Sequence, residues 1–146
     1  MTLPLNSSAT PHPKLVEAIA QFNRGEFFAC HETLEELWLP ATDPLRACYQ
    51  GLIQVAAGLH HAQRGNPTGA ATLLQRGRAR LALFVPSCLG LDIAGLVAGV
   101  DAFLDQPMTK VTGGGRGFDR VTIPTVSWVR SEAGGSQSSP PATISC

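Results

Sequence analysis

The residues best suited to chemistry lie in one short stretch, Cys30-His31-Glu32-Thr33-Leu34-Glu35-Glu36-Leu37-Trp38. Wound as a helix at about 100° per residue, Phe27, Cys30, Leu34, Leu37 and Trp38 fill one apolar arc. His31 falls at the edge of that arc beside Trp38, and Glu35 follows one turn on, flanked by Phe28. Glu32 and Glu36 point to the far side, where solvated charges belong. His31 and Glu35 thus occupy positions that a purely structural helix fills with apolar groups. A second polar set lies further on, where Gln50, Gln54 and His61 share a narrow arc of one helix. The small residues Ala47, Gly51, Ala57 and Gly58 surround that arc and let another backbone come close.

Three chemistries fit these residues. His31 and Glu35 can bond each other and Gln50 in a buried polar network, which is stable when every member is satisfied. They can line a pocket for a small ligand or a hydrolase-like reaction, with Trp38, Gln50, Gln54 and His61 as further lining residues. Or His31, Glu35 and His61 can share a divalent metal, since a histidine and a carboxylate one turn apart reach a common ion. The two-histidine zincin pattern is absent. Cys30 adjoins His31, but neighbours in sequence project about 100° apart on a helix, so any nucleophilic pair would have to form between helices.

FNRGEFFACHETLEELW, followed by R-x-x-YQGLIQVAAGLHHAQRGNPTGAATLL, resembles the bacterial and archaeal domain of unknown function 309 family. In that family a His-Glu-x-x-Glu-x-x-Trp-like helix precedes a Gln-Gly-Leu-Ile-Gln-like helix. The resemblance covers roughly residues 13–104 and carries over His31, Glu35, Trp38, Gln50, Gly51, Gln54 and His61. It implies a compact all-helical fold and brings no activity with it.

The elements that must position these residues read as helices separated by turn residues. The stretch from Lys14 to Arg24 stripes Leu15, Ile19 and Phe22 and stops at Gly25. A second helix, Glu26 to Leu39, stops before Pro40. Asp43 followed by Pro44 reads as a cap and first turn for a third helix, ending near Arg64 and Gly65. Asn66 and Pro67 repeat that start for a fourth, which stripes Ala70, Leu73, Leu74, Gly77, Leu81 and Phe84. Asp92 to Asp105 makes a fifth on Ile93, Leu96, Val97, Val100 and Leu104. FNRGEFFACHETL and AQRGNPTGAATLL echo each other at an offset of 40 residues, which suits paired helical hairpins. The fold predicted is an all-α bundle of about five helices built from hairpins.

The 146 residues amount to one domain. Eleven basic residues balance eleven acidic ones, which argues against a nucleic-acid partner. Arg64, Arg76, Arg78 and Arg80 read as a solvated face. Leu81 to Val100 is the one apolar stretch that mimics a membrane span, but Pro86, Ser87 and Asp92 interrupt it. No secretory pattern opens the chain, so a cytoplasmic protein with reduced cysteines at 30, 48, 88 and 146 is expected. Composition changes at Pro107. Seven basic and nine acidic residues precede it, and four and two follow. Residues 1–12 are expected to be flexible, 13–106 to form the helical domain, and 107–146 to be a Gly/Ser/Pro-rich tail, largely disordered or extended, adding little stability. RVTIPTVSWVR in that tail has strand-like residues, but Pro124 demotes it to an edge or extended segment. GGGRG lacks the Lys-Ser/Thr and the strand–helix frame of a phosphate loop.

The function expected is that of a small soluble helical-bundle protein, a structural or interaction module with a protein partner or a second copy of itself. The alternative is a small metal- or ligand-binding protein or hydrolase-like enzyme centred on His31 and Glu35. No cofactor is expected beyond the weakly supported divalent metal.

Overall fold

A computed structural model describes residues 11–106 and 123–129. Expectations for residues 1–10, 107–122 and 130–146 lie outside the described residues. Five helices follow in order: α1 Pro13–Asn23, α2 Phe27–Trp38, α3 Leu45–Gln63, α4 Pro67–Ala82 and α5 Ile93–Leu104. Two short strands, β1 Ser87–Cys88 and β2 Leu91–Asp92, form an antiparallel hairpin between α4 and α5. The class is all-α, as the periodicity predicts.

The sequence echo is a repeated turn. Gly25 and Gly65 both take left-handed backbone, with φ of 82° and 80°. Glu26 N–H reaches back to the Gln21 carbonyl and Asn66 N–H to the His61 carbonyl, each at 2.9 Å. Gly25 and Gly65 donate to Phe22 and Ala62 at 3.0 and 3.1 Å. This pairing of bonds past a left-handed glycine closes a helix and turns the chain back on itself. It makes α1–α2 and α3–α4 two similar hairpins. Gln63 Nε2 donates to the Gly25 carbonyl at 2.8 Å, so the end of one hairpin holds the turn of the other.

Helix starts follow local chemistry, with one exception. Asn66 and Asp92 cap α4 and α5 by accepting from Gly69 and Gly95 N–H at 3.0 and 2.9 Å. Asp43 does not cap α3, contrary to the sequence reading. Pro44 occupies the cap position, and the Thr42 and Pro44 carbonyls take the first N–H groups of the helix.

Each helix packs on the next, and the broadest contact is α3 with α4. A Cβ on Gly58 would lie 2.8 Å from Leu74 Cγ. One on Gly77 would lie 2.8 Å from Val55 Cγ2 and 2.9 Å from the Gly51 carbonyl oxygen. These glycines exist because the two backbones approach too closely for any side chain. The core joins Leu15, Ile19 and Phe22 of α1, Phe27, Leu34 and Leu37 of α2, and Leu52, Val55 and Leu59 of α3 to the inner faces of α4 and α5. Phe103, fully buried, belongs to that core although the α5 stripe did not include it. The basic cluster is divided. Arg78 forms a bidentate pair with Asp101 of α5 at 2.8 and 3.0 Å, and Arg80 donates to Gln54 at 3.0 Å.

The described part of the tail, residues 123–129, is extended but does more than expected. Val126 is 2% exposed, and its N–H and carbonyl both bond the Asn23 side chain, at 2.8 and 2.9 Å. Ser127 accepts from Asp92 N–H and Val129 donates to Gly90, each at 2.8 Å, so the segment adds an edge to the β1–β2 hairpin. Strand-forming residues supply that edge despite Pro124, which packs on Gly99. Val126→Ala is therefore expected to cost about 2 kcal/mol in chemical denaturation, from lost apolar burial and the cavity left behind. An unchanged denaturation midpoint would mean that the segment contributes nothing to the fold.

Candidate functional site

The face of α2 that carries His31 and Glu35 meets the C-terminal half of α3. His31 Nε2 lies 3.3 Å from Glu35 Oε2, the contact that i,i+4 spacing allows. Glu35 is half exposed, so the pair sits at the margin of the core in high dielectric and contributes little to stability. His31 Nδ1 faces inward, buried and without a hydrogen-bond partner among the described residues.

Phe28 stacks on His31 with centroids 6.0 Å apart and tilts against His60 at 5.2 Å. His60 is in turn 6.4 Å from His61. Four rings thus form a row across α2 and α3 in the order His31, Phe28, His60, His61. Phe28 is 51% exposed within it.

The residues singled out from the sequence do not converge on one point. His61 Nδ1 is 3.0 Å from Asn66 Nδ2, at the start of α4. Gln54 accepts from Arg80 of α4, and Gln50 lies one turn earlier on the same arc, half-buried. That arc serves the α3–α4 packing rather than α2. The contact by which this face of α2 reaches α3 runs through Phe28 to His60. Of the metal set His31, Glu35 and His61, the first two meet each other and His61 meets Asn66. Two rings separate its histidines, and no group of three His, Cys, Asp or Glu residues able to hold a metal occurs among the described residues.

Trp38 stands apart from His31, at the end of α2. It is partly buried rather than deeply so, with the Arg46 guanidinium 3.9 Å over its ring. Its indole N–H is buried with no partner among the described residues. Helix α2 ends there, so Arg46 from the first turn of α3 supplies the cover that a further turn of helix would have given.

Phe28 and His60 were missed as site residues. The signal was present, since Phe28 precedes His31 by three residues and so shares its face, a large aromatic at a polar margin.

Burial pushes the His60 imidazole below the ordinary histidine range, and Arg64, His61 and His31 add positive neighbours, against the Gln63 hydrogen bond. The folded state therefore binds a proton less readily at His60 than the unfolded chain does. Its contribution to stability is present above the unfolded value and is lost as pH falls through the lower folded one. His60→Gln is expected to make the loss of stability below about pH 6.5 shallower than in the parent, by denaturation at a series of pH values. Parallel pH profiles would refute this.

No helix among the described residues is long and apolar enough to cross a membrane. A protein of Aquifex aeolicus (strain VF5), described as an uncharacterized protein, is 32% identical over 91 residues, which cover 62% of this chain and 27% of that protein. The chain thus spans about a quarter of the length of that curated relative. The family model described as Domain of unknown function (DUF309) matches residues 15–73, a span holding both hairpin turns, the ring row and the candidate site residues His31, Glu35, Trp38, Gln50, Gln54 and His61. Over residues 15–73, the chain is thus similar to the DUF309 family.

Proposed function

We propose that the chain is a non-catalytic interaction module whose contact surface is the row His31, Phe28 and His60 on α2 and α3. The observation that carries this reading is Phe28, half exposed yet fixed between two imidazoles. An aromatic side chain held in place and presented to solvent loses little entropy on contact, and such residues dominate binding energies at protein interfaces. The partner is a protein that covers the ring with an apolar side chain.

The orientation of His31 supports the non-catalytic reading. A histidine acting as general base offers substrate the nitrogen that its carboxylate does not hold. Here that nitrogen is Nδ1, which is buried. The relative's greater length supports a module as well, since there the matched segment makes up only 27% of the protein. We place the protein in the cytoplasm, in line with free thiols at Cys30, Cys48 and Cys88.

The test is affinity capture with the wild type, Phe28→Asp and Leu83→Asp, together with sedimentation of each. Leu83 is 80% exposed and lies in the turn after α4, so it serves as a control for apolar surface in general. A partner retained by Leu83→Asp and reduced at least about tenfold by Phe28→Asp is the expected result. Equal capture by all three proteins, or a monomer that captures nothing, would overturn the reading.

A further inference from the structure

A cleft of about 440 Å³ opens at the far end of α2 from Phe28, where the start of α1, the end of α2 and the first turns of α3 meet. Local chemistry fixes its walls. His12 caps α1, its Nδ1 accepting from Lys14 N–H at 3.0 Å. Lys14 Nζ crosses to Glu36 of α2 at 3.1 Å and ties the two helices together beside the cleft. Arg46 of α3 donates to the Ala41 carbonyl at 3.4 Å and holds the turn that follows α2. Leu37, Ala41 and Leu45 supply apolar lining. Small-molecule sites span roughly 300–1,000 Å³, and this cleft falls within that range.

Tyr49 of α3 is the residue that points to a ligand. It is 9% exposed, it lines the cleft, and its hydroxyl makes no hydrogen bond with any described residue. A phenol buried to this depth usually has a partner. The polar groups that share the lining are rich in donors. Lys14 brings an ammonium and Thr42 a hydroxyl. Neutral His12 accepts at Nδ1, so its proton sits on Nε2 and makes that nitrogen a donor as well. Among the described residues of the lining, Glu36 is the one carboxylate, and it already holds Lys14. A ligand that satisfies this lining brings acceptors of its own.

We propose that the cleft binds a small carboxylic acid as its anion, with the carboxylate at Tyr49 and Lys14 and an apolar body against Leu37, Ala41 and Leu45. The Tyr49 hydroxyl donates to one carboxylate oxygen, and the Lys14 ammonium pairs with the charge. The exchange of partners at Lys14 costs little. The Lys14 and Glu36 side chains are 44% and 59% exposed, and an ion pair so open to water is worth little. Glu36 turns to solvent as the ligand takes its place. The incoming carboxylate is favoured because it meets two donors at once, one of them charged. The neutral amide of the same acid gives Lys14 no reason to leave Glu36. The site is separate from the ring row, which begins at the opposite end of α2.

Tyr49 is the one tyrosine of the sequence, so the full-length chain labelled with isotopic tyrosine reports the cleft through a single set of ring signals. The test is an NMR titration of that chain with hexanoate and with phenylacetate, each compared with its neutral amide. The expected result is a saturable Tyr49 shift for at least one acid, with a dissociation constant at or below about 1 mM. The matching amide should bind at least about tenfold more weakly. Lys14→Gln should weaken binding of the acid at least about tenfold and leave the amide unchanged. Glu36→Gln removes the competing carboxylate and should tighten binding of the acid, an effect that a merely structural Lys14–Glu36 pair would not produce. Calorimetry on Tyr49→Phe should show weaker binding of the acid. Tyr49 shifts that stay linear with both acids, equal binding of acid and amide, or acid binding indifferent to Lys14→Gln and Glu36→Gln would overturn the proposal.

Discussion

The close approach of α3 and α4 is the constraint on which the other placements depend. A Cβ at Gly77 would meet the Gly51 carbonyl oxygen at 2.9 Å, an atom that cannot rotate away. Leu74 and Leu81 of α4 press on Gly58 and Gly51 in the same seam. Glycine in a helix interior costs roughly 1 kcal/mol relative to alanine. Three such residues persist along this seam because the space forbids anything larger. Once that seam is closed, one arc of α3 is committed to α4. Gln54 and His61 lie along that commitment, and their partners Arg80 and Asn66 come from α4 and its cap.

The other flank of α3 is left to α2, and there Phe28 links His31 to His60 rather than to His61. The shift is one residue in sequence but about 100° around the helix. It changes the chemistry available. A histidine, a carboxylate and a second histidine around one point could hold an ion or a substrate. A row of rings with an exposed phenylalanine in the middle presents a surface instead. The same geometry turns the unbonded nitrogen of His31 inward, so the His31–Glu35 contact is a margin pair and not a base aimed at solvent.

The five helices, their glycine stops and the 40-residue echo were legible in the sequence because each has a local cause. Stripes at helical spacing, an Asn-Pro start and an Arg-Gly stop need no knowledge of what lies across the fold. The i,i+4 contact of His31 with Glu35 was legible for the same reason. Which flank of α3 faces α2 was not, since that depends on the relative rotation of two helices and therefore on the glycine seam. Asp43 failed as a cap because the carbonyls of Thr42 and Pro44 reach the same N–H groups. The docking of Val126 was hidden by composition. A glycine-rich tail reads as linker, whereas a bidentate bond from Asn23 to one residue of it leaves no trace in the sequence.

The separation of His31 from His61 is the claim on which the account of the site turns, and a zinc titration followed by NMR of the imidazole rings measures it directly. With one equivalent of zinc, the account predicts that the His31 and His61 signals do not shift together, and that Glu35→Gln alters neither response. Concerted shifts of both rings at stoichiometric zinc, lost in Glu35→Gln, would place the two histidines at one centre and contradict it.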